Sequence, residues 1–116
     1  MADSFQSVKS IIVQPGSNIT RTFTFAACSS ATANDGSIPY GVTIASAAVK
    51  AFDKDGTDST TDLIVSSSAT TLVVSVKIKY PVTGGAGRYS LEIVLTFSDD
   101  ETEEYDFNRV YAEDRT

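Results

Sequence analysis

The stretch that decides the fold reads Thr70-Thr71-Leu72-Val73-Val74-Ser75-Val76-Lys77-Ile78-Lys79-Tyr80, then a glycine-rich bend, then Tyr89-Ser90-Leu91-Glu92-Ile93-Val94-Leu95-Thr96-Phe97. In the first arm Leu72, Val74, Val76, Ile78 and Tyr80 share one parity, while Ser75, Lys77 and Lys79 take the other. In the second arm Tyr89, Leu91, Ile93, Leu95 and Phe97 alternate with Ser90, Glu92 and Thr96. Successive side chains of a strand point to opposite faces, so each arm has one apolar face and one polar face. The pattern predicts a hairpin of two antiparallel strands lying on a core, closed by Pro81 to Arg88.

Outward from this pair, the same two-residue rhythm recurs with turn chemistry between repeats. Phe5 to Val13 reads as a first strand at a sheet edge. Gln14-Pro15-Gly16-Ser17-Asn18 reads as a turn, because proline presets φ and glycine admits positive φ. Ile19 to Ala27 follows as the second arm of a hairpin, with Phe23, Phe25 and Ala27 on one face. Val42 to Phe52 is a further strand. Its apolar parity switches between Ile44 and Ala47, which predicts a bulge or a strand that changes sheets. Asp53-Lys54-Asp55-Gly56 is a tight turn. Asp58 to Asp62 reads as linker, Leu63 to Val65 as a short strand and Ser66 to Ala69 as a turn. Ser98 to Glu101 closes a hairpin into a last strand, Thr102 to Ala112, on which Arg109 falls on the parity of Tyr105, Phe107 and Tyr111.

These spacings predict a single all-β domain over residues 1–116, an immunoglobulin-like antiparallel β-sandwich of seven to eight strands. Val, Ile and Thr fill 33 of the 116 positions, as β-branched residues do in strands. A chain of this length buries enough surface for a core without metal or disulfides. The Cys…Trp…Cys core of antibody domains is missing, since the chain has one cysteine, Cys28, and no tryptophan.

The formal net charge is -6 and is carried from Asp99 onward, while the first 98 residues balance acid against base. An acidic end repels phosphate, so nucleic acid is not an expected partner. No apolar run is long enough to span a membrane, and the first residues show no secretory signal. Histidine is absent. Without it the chain lacks the side chain best suited to proton transfer near neutral pH and the commonest imidazole ligand.

The motifs that invite chemistry read more simply as structure. Gly84-Gly85-Ala86-Gly87-Arg88 runs into a strand rather than the Lys-Ser/Thr and helix of a phosphate loop. Asp53-Lys54-Asp55-Gly56 with Asp58 and Asp62 has the acids of a calcium loop but the wrong spacing and flanks, and reads as a turn. Glu104 and Asp106 share a strand face about 6–7 Å apart. They read as a solvated face rather than as the paired acids of a glycosidase, which need a cleft and one desolvated member. No catalytic residue, cofactor site or metal site is assigned, and an enzyme is not expected. Candidate contact residues are Ile38, Pro39 and Tyr40 at the end of the long polar loop Ser29 to Gly41, and Glu104, Asp106 and Arg109 on the last strand. Loops of that length often carry contacts, although Ile38 and Tyr40 also suit a lid folded back on the core. Arg109 suits either snorkelling at the sheet edge or pairing with a carboxylate across a subunit contact.

The stretch from Ala47 to Ala112 resembles small β-sandwich virion proteins of tailed bacteriophages, the neck/tail accessory or fiber-tail adaptor proteins. The shared rhythm is carried by Ser46-Ala47-Ala48-Val49, Ser66-Ser67-Ser68-Ala69-Thr70-Thr71, Gly84-Gly85-Ala86-Gly87-Arg88-Tyr89, Thr96-Phe97-Ser98-Asp99-Asp100 and Phe107-Asn108-Arg109-Val110. The chain departs from the pattern where Asp99-Asp100-Glu101 replaces a glycine-containing turn, and the hairpin expected in the first 45 residues lies outside it. The resemblance implies a structural virion protein at the neck, tail or fibre attachment, assembled in the host cytoplasm, without cofactor or enzyme activity. It implies a homo-oligomer in a multi-copy assembly with other virion proteins as partners. The alternatives are a capsid decoration protein, distinguished by copy number, and a carbohydrate- or receptor-binding module, distinguished by aromatic surface for stacking.

Overall fold

The computed structural model describes residues 10–114. Within them lie seven strands and one helical turn: β1 (Ile11–Val13), β2 (Asn18–Thr24), β3 (Ile44–Asp53), α1 (Thr60–Leu63), β4 (Ile64–Thr70), β5 (Val73–Lys79), β6 (Gly87–Phe97) and β7 (Thr102–Ala112). They form a four-stranded sheet, β1-β7-β6-β3, packed on a three-stranded sheet, β2-β5-β4. All ladders are antiparallel except β1 on β7. The expected all-β sandwich is the fold. The sets β3-β6-β7 and β2-β5-β4 reproduce the strand order of the two immunoglobulin sheets, with β1 added beside the last strand.

Apolar parity decides which face of each sheet turns inward. Val74, Val76 and Ile78 of β5 and Tyr89, Leu91, Ile93, Leu95 and Phe97 of β6 are all buried. From the other strands Phe23 meets Phe107 edge-on with ring centroids 5.3 Å apart, and beyond β2 Phe25 meets Tyr105 at 5.1 Å. Burying one such side chain contributes about 1.5–3 kcal/mol, so these residues hold the two layers together.

Several sequence expectations are corrected by the sheet assignment. The two alternating arms do not pair: β5 belongs to one sheet and β6 to the other, so Pro81 to Arg88 is an inter-sheet corner rather than a hairpin bend. Alternation reports which face is apolar but not which strand lies alongside, and two apolar faces meet as readily across a sandwich as within one sheet. For the same reason the chain from Gln14 to Asn18 joins strands of opposite sheets. The part of the first expected strand before Ser10 lies outside the described residues. Leu63 closes α1 instead of opening a strand, and Ser66 to Ala69 lies within β4, not in a turn. Serine and small residues are tolerated there because β4 is the outer strand of its sheet. The true hairpin into β5 turns at Thr71-Leu72, between the paired Thr70 and Val73.

The parity switch in β3 is a register shift between Ile44 and Ser46. A second shift lies in β7, where Leu91 faces Phe107 and Tyr89 faces Val110, leaving one extra residue in β7. This bulge turns Val110 and Ala112 into the core and leaves Arg109 exposed. Arg109 is therefore not buried with Phe107, because a single inserted residue inverts every parity beyond it, although its guanidinium still reaches the Phe107 ring.

Candidate functional site

The loop after β2 is tied down at its far end. Ser37 and Ile38 donate their amides to Ala26 O (2.8 and 3.1 Å), and Cys28 donates its amide to Ile38 O (2.8 Å). The Tyr105 hydroxyl reaches across from β7 and donates to Ser37 O at 2.7 Å. Burial, with smaller contributions from Glu103 and Cys28, pushes this phenol up to about 12. Asp35 closes the loop's near end by accepting from the Ser29 hydroxyl (2.7 Å) and amide (3.0 Å), which hold its carboxyl below the usual range. Gly36 is buried against the backbone of Ala26 to Cys28, beyond the end of β2, and a Cβ there would sit 2.5 Å from Ala26 O. A loop held at so many points is presented in one conformation.

This anchoring divides the three candidate loop residues. Ile38 is fully buried and bridges Ala27, so it is not a contact residue but the plug that seats the loop on the core. Pro39 and Tyr40 remain outside, with Tyr40 57% exposed. The lid expectation thus holds for Ile38 and fails for Tyr40.

Glu104 and Asp106 stand on the outer face of the four-stranded sheet and are joined there by Glu92 of β6, which lies opposite Asp106. Ligand oxygens of the three lie within 4.8 Å of one another. Glu92, slight desolvation and Asp106 together push the Glu104 carboxyl up. Oxygens so placed suit a hard cation, but all three belong to an exposed or half-exposed strand face. Arg109 stands at the bulge, its guanidinium carbon 5.2 Å from the centroid of the Phe107 ring, within cation–π range.

Two acids of the calcium-like segment, Asp53 and Asp58, are used inside their own turns. Asp53 accepts from the Asp55 and Thr57 amides, both at 2.9 Å, and Asp58 from the Thr60 amide at 2.9 Å. Asp62 turns instead to the inter-sheet corner and accepts from the amides of Thr83 (3.0 Å) and Gly84 (2.8 Å). Its partial burial works to raise the carboxyl, but the Thr83, Gly84 and Val82 amides and Lys79 outweigh it and the net direction is down. In the same corner Tyr89, near the start of β6, donates its hydroxyl to Gly85 O at 2.9 Å. A tyrosine at this point of this strand, bonded a few residues upstream, is the tyrosine corner of immunoglobulin-like domains. Gly84 makes room for it, since a Cβ there would collide with the Tyr89 hydroxyl.

Between the corner and the acidic face lies a trough that the sequence did not reveal. Its main bay, about 530 Å³, is lined across three strands by Phe52 of β3, Ser90 and Glu92 of β6, and Asp106 and Asn108 of β7. A smaller bay of about 190 Å³ runs on toward Gly84 and Ala86, and the two share Asp53, Lys54, Arg88 and Tyr89. Only register brings these residues together: Phe52 lies opposite Ser90, and Lys50, Glu92 and Asp106 form one cross-strand row.

The strand order and the corner thus define an immunoglobulin-like β-sandwich. Compared with known proteins, the chain matches no family model and no curated protein. Among the described residues no helix is long and apolar enough to cross a membrane.

Proposed function

We propose that the chain is a structural protein of a tailed bacteriophage particle, placed at the neck, tail or fibre attachment and acting through contacts with its own copies and with other virion proteins. The observation that carries this reading is the resemblance of Ala47 to Ala112, a stretch that runs from within β3 to the end of β7. The anchored loop gives the reading a contact point. Pro39 and Tyr40 stand exposed on a backbone already ordered. An aromatic anchor on an ordered loop binds at little entropic cost. Open strand edges are the second contact resource, because assembly covers edges that free monomers must guard. Arg21 serves as such a guard on β2, an exposed charge on the parity of Ile19 and Phe23.

The test is a direct one. Gradient-purified particles of the encoding phage are digested and analysed by mass spectrometry, and labelled with antibody for negative-stain microscopy. Label at the neck, tail or fibre base at a copy number in the tens supports the reading. Copy numbers in the hundreds over the head point to a decoration protein, and absence from particles dismisses both.

A further inference from the structure

We propose that the trough on the outer face of the four-stranded sheet binds a neutral oligosaccharide. The trough sits on a sheet face, not at an edge. Its central strand, β6, is paired on both sides, with β3 and with β7. Along β6 the backbone pairs on both sides apart from the bulge opposite Ser90, so an extended peptide cannot add beside it as a strand. Recognition is left to side chains, and these form a mixed set. Asp53, Glu92 and Asp106 line it together with Lys54 and Arg88, and Ser90 and Asn108 complete the polar lining. The lining as a whole therefore carries both signs, with Lys54 and Arg88 on the side shared with the second bay.

Sugar hydroxyls suit that set, because each both donates and accepts: carboxylates accept from them, Arg88 and Lys54 donate to them, and Ser90 and Asn108 do both. Half-buried Phe52 supplies the apolar surface against which the C–H face of a pyranose packs. The main bay falls within the range of ligand sites, and its continuation into the second bay suits a chain of sugars better than a single ring. The lining is held on paired strands and beside the β7 bulge, which re-aims Asn108. The inference stands on this geometry whether or not the chain belongs to a virion.

The test uses the full chain, labelled with ¹⁵N, and hexasaccharides of α-1,4-glucose, β-1,4-glucose, β-1,4-N-acetylglucosamine and α-1,6-mannose, with oligogalacturonate as the anionic counterpart. At least one neutral hexasaccharide is expected to shift the amides of Phe52, Ser90 and Asn108, and oligogalacturonate is expected to bind more weakly. Phe52→Ala should weaken that binding at least about tenfold. Asn108→Ala, at an exposed position and therefore free of folding effects, should weaken it as well, and Tyr40→Ala should leave it unchanged. The proposal is overturned if no neutral hexasaccharide shifts the trough at roughly 10 mM, a limit corresponding to millimolar affinity. It is equally overturned if the shifts centre on the Pro39–Tyr40 loop, or if Asn108→Ala binds like the wild type.

Discussion

Removing one oxygen, in Tyr105→Phe, tests how the contact loop is held. The ring stays, and with it the edge-on packing against Phe25 at 5.1 Å. What goes is a 2.7 Å hydrogen bond to Ser37 O, between residues that are 9% and 4% exposed. A hydrogen bond of this kind contributes about 0.5–1.5 kcal/mol net, and a buried carbonyl that loses its donor raises the cost, so about 1–2 kcal/mol is expected. For a domain of 116 residues that lowers the midpoint of thermal unfolding by about 4–8 °C. Circular dichroism melts give the global figure. Amide exchange gives the local one, with the Cys28, Ser37 and Ile38 amides exchanging about 5–30-fold faster while those of β6 change no more than global stability requires.

A pH series adds a sign. The folded phenol titrates at about 12, above its ordinary value of 10.0. The stability it contributes is complete below pH 10 and is lost as pH rises through 12. The wild type should therefore lose its advantage over the phenylalanine variant across that window. An unchanged melt with unchanged loop exchange would refute the argument that Tyr105 seats the loop.

The other expectations concern the loop and the corner. Gly36→Ala places a Cβ against Ala26 O, so it should destabilise by about 1–3 kcal/mol in urea titrations. Ile38→Ala should cost about 2–5 kcal/mol, as emptying a fully buried site does, whereas an exposed contact residue would cost almost nothing. Asp62→Ala removes the acceptor of two corner amides and should cost about 1–2 kcal/mol at pH 7. The folded Asp62 carboxyl lies below 3.8, so its contribution is present above that value and fades as pH falls through the folded one. The difference between wild type and variant should shrink in acid melts. Tyr40→Ala should leave stability within about 0.5 kcal/mol yet reduce incorporation into particles, measured by quantitative mass spectrometry against a capsid standard.

The candidate contacts divide along a physical line. Tyr40 and Pro39 could be picked out because a long polar loop ending in apolar residues invites contact, but the sequence held no sign that Ile38 alone would be drawn inside. The loop beside Ile38 is held by the Tyr105 hydroxyl, which bonds Ser37 O from 68 residues away along the chain. Glu104 and Asp106 were legible as a pair because they lie two apart on one strand. Glu92 joined them only once β6 and β7 were in register. The trough had no sequence signature, since its walls come from three strands whose residues become neighbours through pairing. Tyr89 was legible as a core residue but not as the corner's hydrogen-bond donor, for that role required β5 and β6 to part into separate sheets.

What the chain determined by itself was local. Side-chain direction repeats every two residues in extended backbone, so alternation marked β5, β6 and β7 as strands and named the inward residues of β5 and β6. Turn residues bounded most of the strands for the same local reason. What only the tertiary structure decided was non-local: which strand lies beside which, where the bulge in β7 reverses parity, and that the two alternating arms oppose each other across the core. An apolar face specifies that it must be covered, not by what. That choice falls to the packing of all the faces at once.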